Sequence, residues 1–302
     1  MLPLSMLTSL PRHSAAAASR LALGWLGAAS MLLPWSAHAM DDATTPPPGL
    51  YYLNYLLDYR STDIRMPLSN QTLPGSNEVS SRSYVNRLLW VSDRKLLGAD
   101  YGMEIIAPVV RNSLKVGALG VRMHDSGGSD IYVSPLILGW HSPRWDAGVG
   151  AGIWLDTARA NSSIAPGRGY NSSIVSAGAT YYWDESRSWS SSLLLHYQHN
   201  SKADSGFRRG DQISAEWGIG KRWGLLKVGA VGYSHWQTRK DSGPGVFGDK
   251  SQTHAAGLRA SYIFWPSKVM LRASVYQEFG VRASSQPAMQ GKLLEIMLAK
   301  AF

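Results

Sequence analysis

The chain has 302 residues, with 30 lysines and arginines against 21 aspartates and glutamates, so its formal net charge at pH 7 is +9. Its basic residues occur singly or in pairs such as Arg208-Arg209, whereas nucleic-acid-binding domains concentrate them in patches or stripes. We therefore expect no nucleic-acid partner. The chain contains no cysteine, which excludes a disulfide framework and a lipidated cysteine after a signal peptide.

The N-terminal region predicts a cleaved Sec signal peptide. Arg12 and Arg20 supply positive charge, an apolar stretch covers 21–35, and Ala37-His38-Ala39 has the small-x-small pattern of a cleavage site. The apolar stretch is short for a bilayer-spanning helix, although an anchoring helix is the alternative interpretation. The predicted organisation is a signal peptide over 1–39, a periplasmic tail over 40–48 and a barrel over 49–302.

Alternation of apolar and polar side chains with a period of two recurs through the rest of the chain. Residues 189–198 and 268–278 are clear examples, with apolar residues on one face and small, polar or charged residues on the other. This pattern predicts an all-β protein, a transmembrane antiparallel up-and-down β-barrel with its apolar face outward. The expected strands, about twelve, are 49–60, 84–92, 99–111, 130–140, 145–156, 170–183, 188–199, 211–220, 224–237, 252–264, 268–280 and 291–302, with 113–121 able to extend the third or the fourth.

Long and short connections alternate along the chain. Polar stretches such as 61–82 and 112–129 are long, whereas 93–95 and 141–144 are short. An outer-membrane barrel has this rhythm because its periplasmic turns are short and its external loops are long. Tryptophans lie beside the short turns and predict an aromatic girdle at the inner membrane interface, formed by Trp90, Trp140, Trp145, Trp183, Trp189, Trp223 and Trp265.

The C-terminal segment alternates down to a terminal aromatic residue. Leu294, Ile296, Leu298, Lys300 and Phe302 share one face of the last predicted strand. This resembles the final strand of outer-membrane proteins, in which the terminal aromatic is recognised by the barrel assembly machinery. The resemblance implies that Phe302 is the assembly signal.

Ionisable residues on the polar faces are expected to lie in the lumen, because exposing them to lipid would cost roughly 2–4 kcal/mol for each basic group at the midplane. Two interpretations stay open: a conducting or gated pathway shaped by these charges, and an interior filled by paired acids and bases. About twelve strands fall between a filled eight-stranded barrel and an open porin. The expected lumen-lining residues are Glu104, Asp146, Glu216, Lys227, Arg259, Arg272, Glu278 and Glu295.

The sequence offers no pattern that indicates an enzyme. His196 and His199 are three residues apart in a predicted strand, so they point to opposite faces and cannot share a metal ion or a triad. His124-Asp125-Ser126 lies in a predicted loop, and adjacency in sequence is not the geometry of a triad. We expect no catalytic residues, cofactor or metal.

Four segments resemble a known family of barrels. They are Tyr52-Leu53-Asn54-Tyr55 with Tyr59, Val91-Ser92-Asp93 with Lys95-Leu96-Leu97-Gly98, the run from Asp130 to His141, and Ser274-Val275-Tyr276-Gln277-Glu278-Phe279. The family is the outer-membrane barrel group named for the meta-pathway of phenol degradation, which is distantly like fatty-acid and toluene channels. The family usually has Gly-Leu-Gly-Asp where this chain has Gly127-Gly128-Ser129-Asp130.

The resemblance implies an outer-membrane channel or transporter for passive uptake of small molecules, hydrophobic or aromatic ones included. The alternative is a structural or adhesive barrel with a filled, non-conducting interior. The expected location is the outer membrane of a Gram-negative-type cell. The expected partners are outer-membrane lipid, lipopolysaccharide, the barrel assembly machinery and small-molecule solutes.

Overall fold

A computed structural model describes residues 45–302, and within them no helix is long and apolar enough to cross a membrane. The structure consists of strand segments joined by turns and loops, with one turn of 3-10 helix at Gly117–Leu119. The strands are β1 Gly49–Arg65, β2 Asn77–Leu96, β3 Ala99–Val116, β4 Val121–Gly128, β5 Ile131–His141, β6 Trp145–Leu155, β7 Ser172–Tyr182, β8 Trp189–Asn200, β9 Gln212–Trp223, β10 Leu226–Gln237, β11 Gln252–Phe264, β12 Val269–Arg282 and β13 Ala288–Ala301.

The strands form one closed antiparallel sheet. Strands that follow one another in the chain pair side by side, except β4 and β5, and β1 closes the ring because it also pairs with β13, with Tyr55 opposite Met297. Strands β4 and β5 both pair with β3, β4 along Val109–Val116 and β5 along Asp100–Ile106. They therefore share one position in the ring, and the barrel is twelve-stranded, as the sequence predicts.

The two faces of the sheet differ in chemistry. On β12, Leu271 and Val275 point outward and are 40% and 51% exposed, whereas Arg272 between them points inward and is fully buried. Exposed leucine, isoleucine, valine and aromatic residues continue this outer face around the barrel. A belt of this extent requires a lipid environment, since soluble proteins rarely expose such a surface. We call the end with the short turns the inner end and the opposite end the outer end.

The predicted bounds differ most from the structure in β1, β2 and β3 and in the two long loops that follow the first and third predicted strands. Strand β1 continues to Arg65, β2 begins at Asn77, and the predicted loop 112–129 is wrong because β3 and β4 form a hairpin there. Apolar and polar residues still alternate in these extensions, but here the apolar side chains point inward and the polar ones outward: Leu114 is buried, whereas Arg111 is exposed. Beyond the lipid, water contacts the outer face of the sheet. Polar residues there are therefore compatible with a strand and do not indicate a loop.

The N-terminal predictions fall largely outside the described residues, and this includes the whole signal peptide over 1–39. Thr45, the first described residue, is buried against Gly139 of β5, where an ideal Cβ on the glycine would lie 2.0 Å from the threonine Oγ1. Only glycine leaves room for this contact. The last residues of the predicted tail over 40–48 therefore run into the inner end of the barrel before β1 begins.

Replacing Val275 with arginine tests the orientation of the belt. Val275 lies six residues beyond the start of β12, which places it near the midplane, so V275R should lower the free energy of unfolding by roughly 2–4 kcal/mol. Ser173 is exposed near the outer end of β7, and S173R should cost about 0–1 kcal/mol. Equilibrium denaturant unfolding in lipid vesicles measures both. Equal costs at the two sites would contradict the assignment.

Candidate functional site

The barrel interior holds a buried group of charges on three neighbouring strands. Arg259 of β11 and Arg272 of β12 approach the same Oε1 atom of Glu295 on β13, at 3.7 and 3.4 Å, and the three residues are 2%, 0% and 2% exposed. The Ser274 hydroxyl donates to this carboxylate at 3.2 Å and accepts a hydrogen bond from Arg259 Nε at 2.9 Å. The sheet register brings these side chains together, because Ser274 lies opposite both Arg259 and Glu295.

A second buried carboxylate, Glu278, lies further toward the outer end of β12. Tyr59 of β1 donates its hydroxyl hydrogen to Oε2 at 2.7 Å, and Tyr233 of β10 donates to Oε1 at 2.9 Å. The backbone N–H of Gly291 donates to Oε2 at 2.8 Å. Tyr59 and Tyr233 each lie two strands away from Glu278 in the sheet, so this carboxylate links the wall from β10 to β1 on the inner side.

The other predicted lumen residues also point inward, at different depths. Glu104 of β3 forms an ion pair with Arg87 of β2 at 2.7 Å, and Glu216 of β9 lies 3.2 Å from His196 Nε2. Lys227 is half-buried on the inner part of β10. The structure therefore places all eight predicted residues on the inner face; their role in lining a pathway is part of the proposal below.

Asp146 differs from the rest because it lies at the inner end of the barrel. It is buried beside the short turns, where His141 Nδ1, Arg187 Nη2 and the Tyr182 hydroxyl approach it at 3.1, 3.1 and 2.6 Å. It therefore anchors the inner turns between β5 and β8. The sequence alone could not separate this structural position from one midway along the lumen.

Apolar residues and tyrosines fill the interior beside these charges. This group is buried and lies mainly on β1, β2, β10 and β13; its members include Leu53, Tyr55, Leu57, Val85, Leu89, Val231, Tyr276, Leu293 and Met297. The tyrosines follow the inward period of β1, but sequence reasoning missed them because it searched the inner face for ionisable groups. Side chains of the charged group and of the apolar group cover one another almost completely, so the interior is closed where they meet.

The loop between β6 and β7, residues 156–171, folds into the outer end of the barrel. The backbone oxygen of Ile164 accepts a hydrogen bond from Asn112 Nδ2 of β3 at 2.9 Å, and its side chain packs among Ile64, Val79 and Leu114. Arg168 of the same loop pairs with Asp130, at the junction of β4 and β5, at 3.1 Å. The loop therefore closes the mouth, and we call it the mouth loop.

Asp241 ties three further outer loops together. Its carboxylate accepts hydrogen bonds from Gly210 N at 2.9 Å and Ser284 Oγ at 2.9 Å, and from Ser285. Burial by itself raises the pKa of Asp241, but the nearby Arg209 guanidinium and these hydrogen bonds outweigh it and hold the pKa below its ordinary value. The ionised form is therefore the one that holds the loops.

The predicted girdle and the C-terminal aromatic lie at the inner end of the barrel. Phe302 is exposed, and its backbone N–H donates to Leu50 O at 3.0 Å, which joins the end of the chain to the first strand. Trp140 is half-buried and donates to Leu97 O at 3.4 Å. The remaining girdle residues are all exposed: Trp90, Trp145, Trp183, Trp189, Trp223 and Trp265.

Within residues 45–302, no group of three or more histidine, aspartate or glutamate residues could hold a metal ion. His196 contacts Glu216, whereas His199 contacts Asp211 at 3.1 Å, so the two histidines serve different partners.

Comparison with known proteins identifies the family. A family model described as "Putative MetA-pathway of phenol degradation" matches residues 65–289. The chain belongs to this family. The match covers β2 to β12 entirely, together with the end of β1 and the start of β13, so it includes Arg259, Arg272 and Glu278 but ends before Glu295. No curated protein sequence matches the chain.

Solved structures show the same fold. An outer membrane channel from Pseudomonas putida F1 has a TM-score of 0.75 at 15% sequence identity, and the match covers 87% of this chain and 98% of that one. The transport unit of the autotransporter AIDA-I from Escherichia coli has a TM-score of 0.51 at 11% identity, over 97% of this chain and 100% of that one. The fold of this family member is thus that of an outer-membrane β-barrel.

Replacing Asp241 with asparagine should loosen the outer loops. The pKa of the carboxyl group is lower in the folded protein than its value near 4 in the unfolded chain. The ionised form therefore stabilises the fold above the unfolded-state pKa, and this stabilisation is lost as the pH falls through the folded-state pKa. At pH 7, D241N should exchange the amide hydrogens of 201–211 and 283–287 about tenfold faster than the parent. Hydrogen exchange by mass spectrometry, corrected for the intrinsic rate at each pH, measures this.

The matched control is Asp249→Asn in the same loop, because Asp249 forms only an exposed ion pair with Lys240. We expect little change from it. Protection that is unchanged in D241N, or equally lost in D249N, would contradict the role of Asp241.

Proposed function

We propose that this protein is an outer-membrane channel for passive uptake of small molecules, hydrophobic and aromatic ones included, and that the structure represents its closed state. The observation that carries the proposal is an interior in which two kinds of side chain lie next to each other. Leucine, valine and tyrosine side chains pack beside paired charges such as Arg272 and Glu295. An apolar wall with hydroxyl groups suits small aromatic solutes.

The buried ion pairs favour a transport role over a purely structural one. Replacing a buried ion pair by well-packed apolar residues is often neutral or stabilising, so stability alone does not require Arg259, Arg272 and Glu295 in a filled barrel. Paired charges can exchange partners as a solute passes, and they leave the closed interior close to neutral. The similar barrel from Pseudomonas putida F1 is an outer membrane channel, which agrees with this proposal.

The mouth loop is the element we propose to open. It is attached by individual hydrogen bonds, the Arg168–Asp130 ion pair and one small apolar contact group, whereas the wall is held by continuous ladders. Releasing Asn112 from Ile164 would free the outer end while leaving the barrel closed as a ring. Segments with few buried contacts are the ones that open first.

The second candidate is a structural or adhesive barrel whose filled interior does not conduct. The near-complete burial of Arg259, Arg272 and Glu295 favours it, because residues lining an open pore contact water. The two candidates differ in one measurable property, which is conductance in a planar bilayer.

The proposal includes the placement of the chain in its cell. Residues 1–39 direct export and are removed, and the barrel is inserted into the outer membrane by the assembly machinery acting on Phe302. Lipopolysaccharide and phospholipid contact the exposed apolar belt. The proposal includes no enzymatic role: Ser214 Oγ and His235 Nδ1 meet at 2.7 Å, but within the described part of the chain His235 Nε2 has no hydrogen-bond partner that would orient the ring as a base.

Charge variants in the lumen should shift ion selectivity in opposite directions. Glu216→Gln keeps the side-chain shape and removes a negative charge, so the reversal potential in a salt gradient should move toward anion preference. Arg272→Ala removes a positive charge and should move it toward cation preference. Single-channel recording in planar bilayers measures both shifts, and the heat-dependent mobility of the barrel on gels checks folding.

Glu185→Ala in an exposed inner turn serves as the control and should leave selectivity unchanged. A folded parent that never conducts and never takes up a radiolabelled monoaromatic compound, when expressed in a porin-deficient Gram-negative host, would favour the non-conducting candidate instead.

Releasing the mouth loop should raise the fraction of time that the channel is open. Asn112→Ala removes the hydrogen bond to Ile164 O, and Ser81, which donates to Asn112 Oδ1 at 2.8 Å, keeps its place in β2. We expect the open probability to rise about tenfold, because the loss of one buried hydrogen bond changes an equilibrium constant by about that factor. Ser80→Ala, half-buried on the outer face of β2, is the control. An unchanged open probability in N112A would place the gate elsewhere.

A further inference from the structure

Basic side chains are concentrated on one sector of the outer face, near the outer end of the barrel. Arg60 lies eleven residues after Gly49, where β1 begins at the inner end. A tilted strand rises about 2.5 Å along the membrane normal per residue, so Arg60 lies about 27 Å above the inner interface. Because the apolar band of such barrels is about 25 Å tall, Arg60 is at the outer boundary of the lipid.

The sheet register extends this position across neighbouring strands. Asp58 of β1 lies opposite Arg82 of β2, which lies opposite Arg111 of β3, and Arg60 lies opposite Lys292 of β13. These side chains share the outward face. Together with the projecting ends of β3 and β4, the sector carries Arg60, Arg82, Arg111, Lys115, Arg122 and Lys292 against the two acids Asp58 and Glu78.

The positive charge of this sector is only partly balanced. Arg60 Nε and Arg82 Nε both donate to the carboxylate of Asp58, at 2.7 and 3.0 Å, so two guanidinium groups share one acid. Their side chains remain 64% and 62% exposed. Asp58 therefore holds both arginines in place while their remaining N–H groups face outward, where an anion could accept from them.

An apolar groove lies directly below the arginines. It has a volume of about 370 Å³ and lies on the outer surface of β13, β1, β2 and β3. Asp58, Arg82 and Arg111 form its upper edge. The outward apolar side chains that line it are Leu56, Tyr84, Val109, Leu294 and Ile296.

Other sectors at a similar height have different chemistry. On β8, β9, β10 and β12, the exposed residues eight to ten positions from the inner strand ends are Tyr197, His199, Ile213, Trp236, Gln277 and Phe279, with neither lysine nor arginine among them. Aromatic and apolar residues there match the ordinary interface of a barrel. The basic edge above a groove is therefore a local feature and not a general property of the outer rim.

We propose that this sector binds a phosphorylated glycolipid of the outer leaflet. Its phosphate accepts hydrogen bonds from Arg82 and Arg111, with Arg60 beside them, and an acyl chain occupies the groove below. Guanidinium groups match phosphate oxygens in a paired geometry, and the groove supplies the apolar contact that a free anion lacks. The site rests on the proposed outer-membrane placement, which brings its upper edge to the head groups of that leaflet.

The test is native mass spectrometry of the detergent-purified full-length mature protein. It is mixed with lipid A that carries two phosphates and, separately, with the same lipid after both phosphates have been removed. The parent should bind one diphosphorylated molecule at least about tenfold more tightly than the dephosphorylated form. The double variant Arg82→Gln with Arg111→Gln should lose this preference, since each arginine contributes a charged hydrogen bond. Arg94→Gln in an exposed inner turn is the matched control and should bind like the parent.

Each other outcome overturns the inference. Equal binding by the double variant, or equal binding of the dephosphorylated lipid, would show that the arginines do not recognise phosphate. Displacement of the lipid by millimolar inorganic phosphate would show a simple anion site without a role for the groove. Absence of the parent protein from isolated outer membranes would instead refute the proposed function, so the two failures are distinguishable.

Discussion

Closure of the hydrogen-bonded ring is the constraint on which the rest of this structure depends. Lipid offers no hydrogen-bond partners, so every backbone N–H and C=O that crosses the belt must be satisfied within the sheet. Pairing of β1 with β13 meets that requirement, and the terminal Phe302 extends it through its bond to Leu50. Once the ring is closed, each residue has only two options, outside or inside, and its chemistry follows from that choice.

The two faces are solvated differently at different heights, which explains both the belt and its limits. Within the lipid the outer face is apolar, and ionised groups such as Arg272 and Glu295 are inside. Above the lipid the sense reverses, so Leu114 lies inside and Arg111 outside. The mouth loop uses this apolar inner surface, because its Ile164 packs there. The basic edge of the lipid-facing groove arises at the same boundary.

The interior combines apolar and tyrosine side chains with charges that neutralise one another. Tyr59 and Tyr233 belong to the apolar group and both donate to Glu278, so the two kinds of side chain are in direct contact. This network costs desolvation energy that an apolar filling would not. Closure by side chains and by a separately attached loop leaves the ring free to stay intact while the lumen opens.

Local periodicity was sufficient for the class of fold, the strand number and the inward direction of Glu104, Glu216, Arg259, Arg272, Glu278 and Glu295, because the side-chain period of a strand is two. It could not show that Asp146 belongs to the inner turns, that Tyr59 meets Glu278, or that Ile164 enters the mouth. Those contacts join residues that are distant along the chain, and only register and closure decide them. The hairpin of β3 and β4 was missed for a related reason: the sequence carries the alternation, but the solvent on each side is set by height in the assembled barrel.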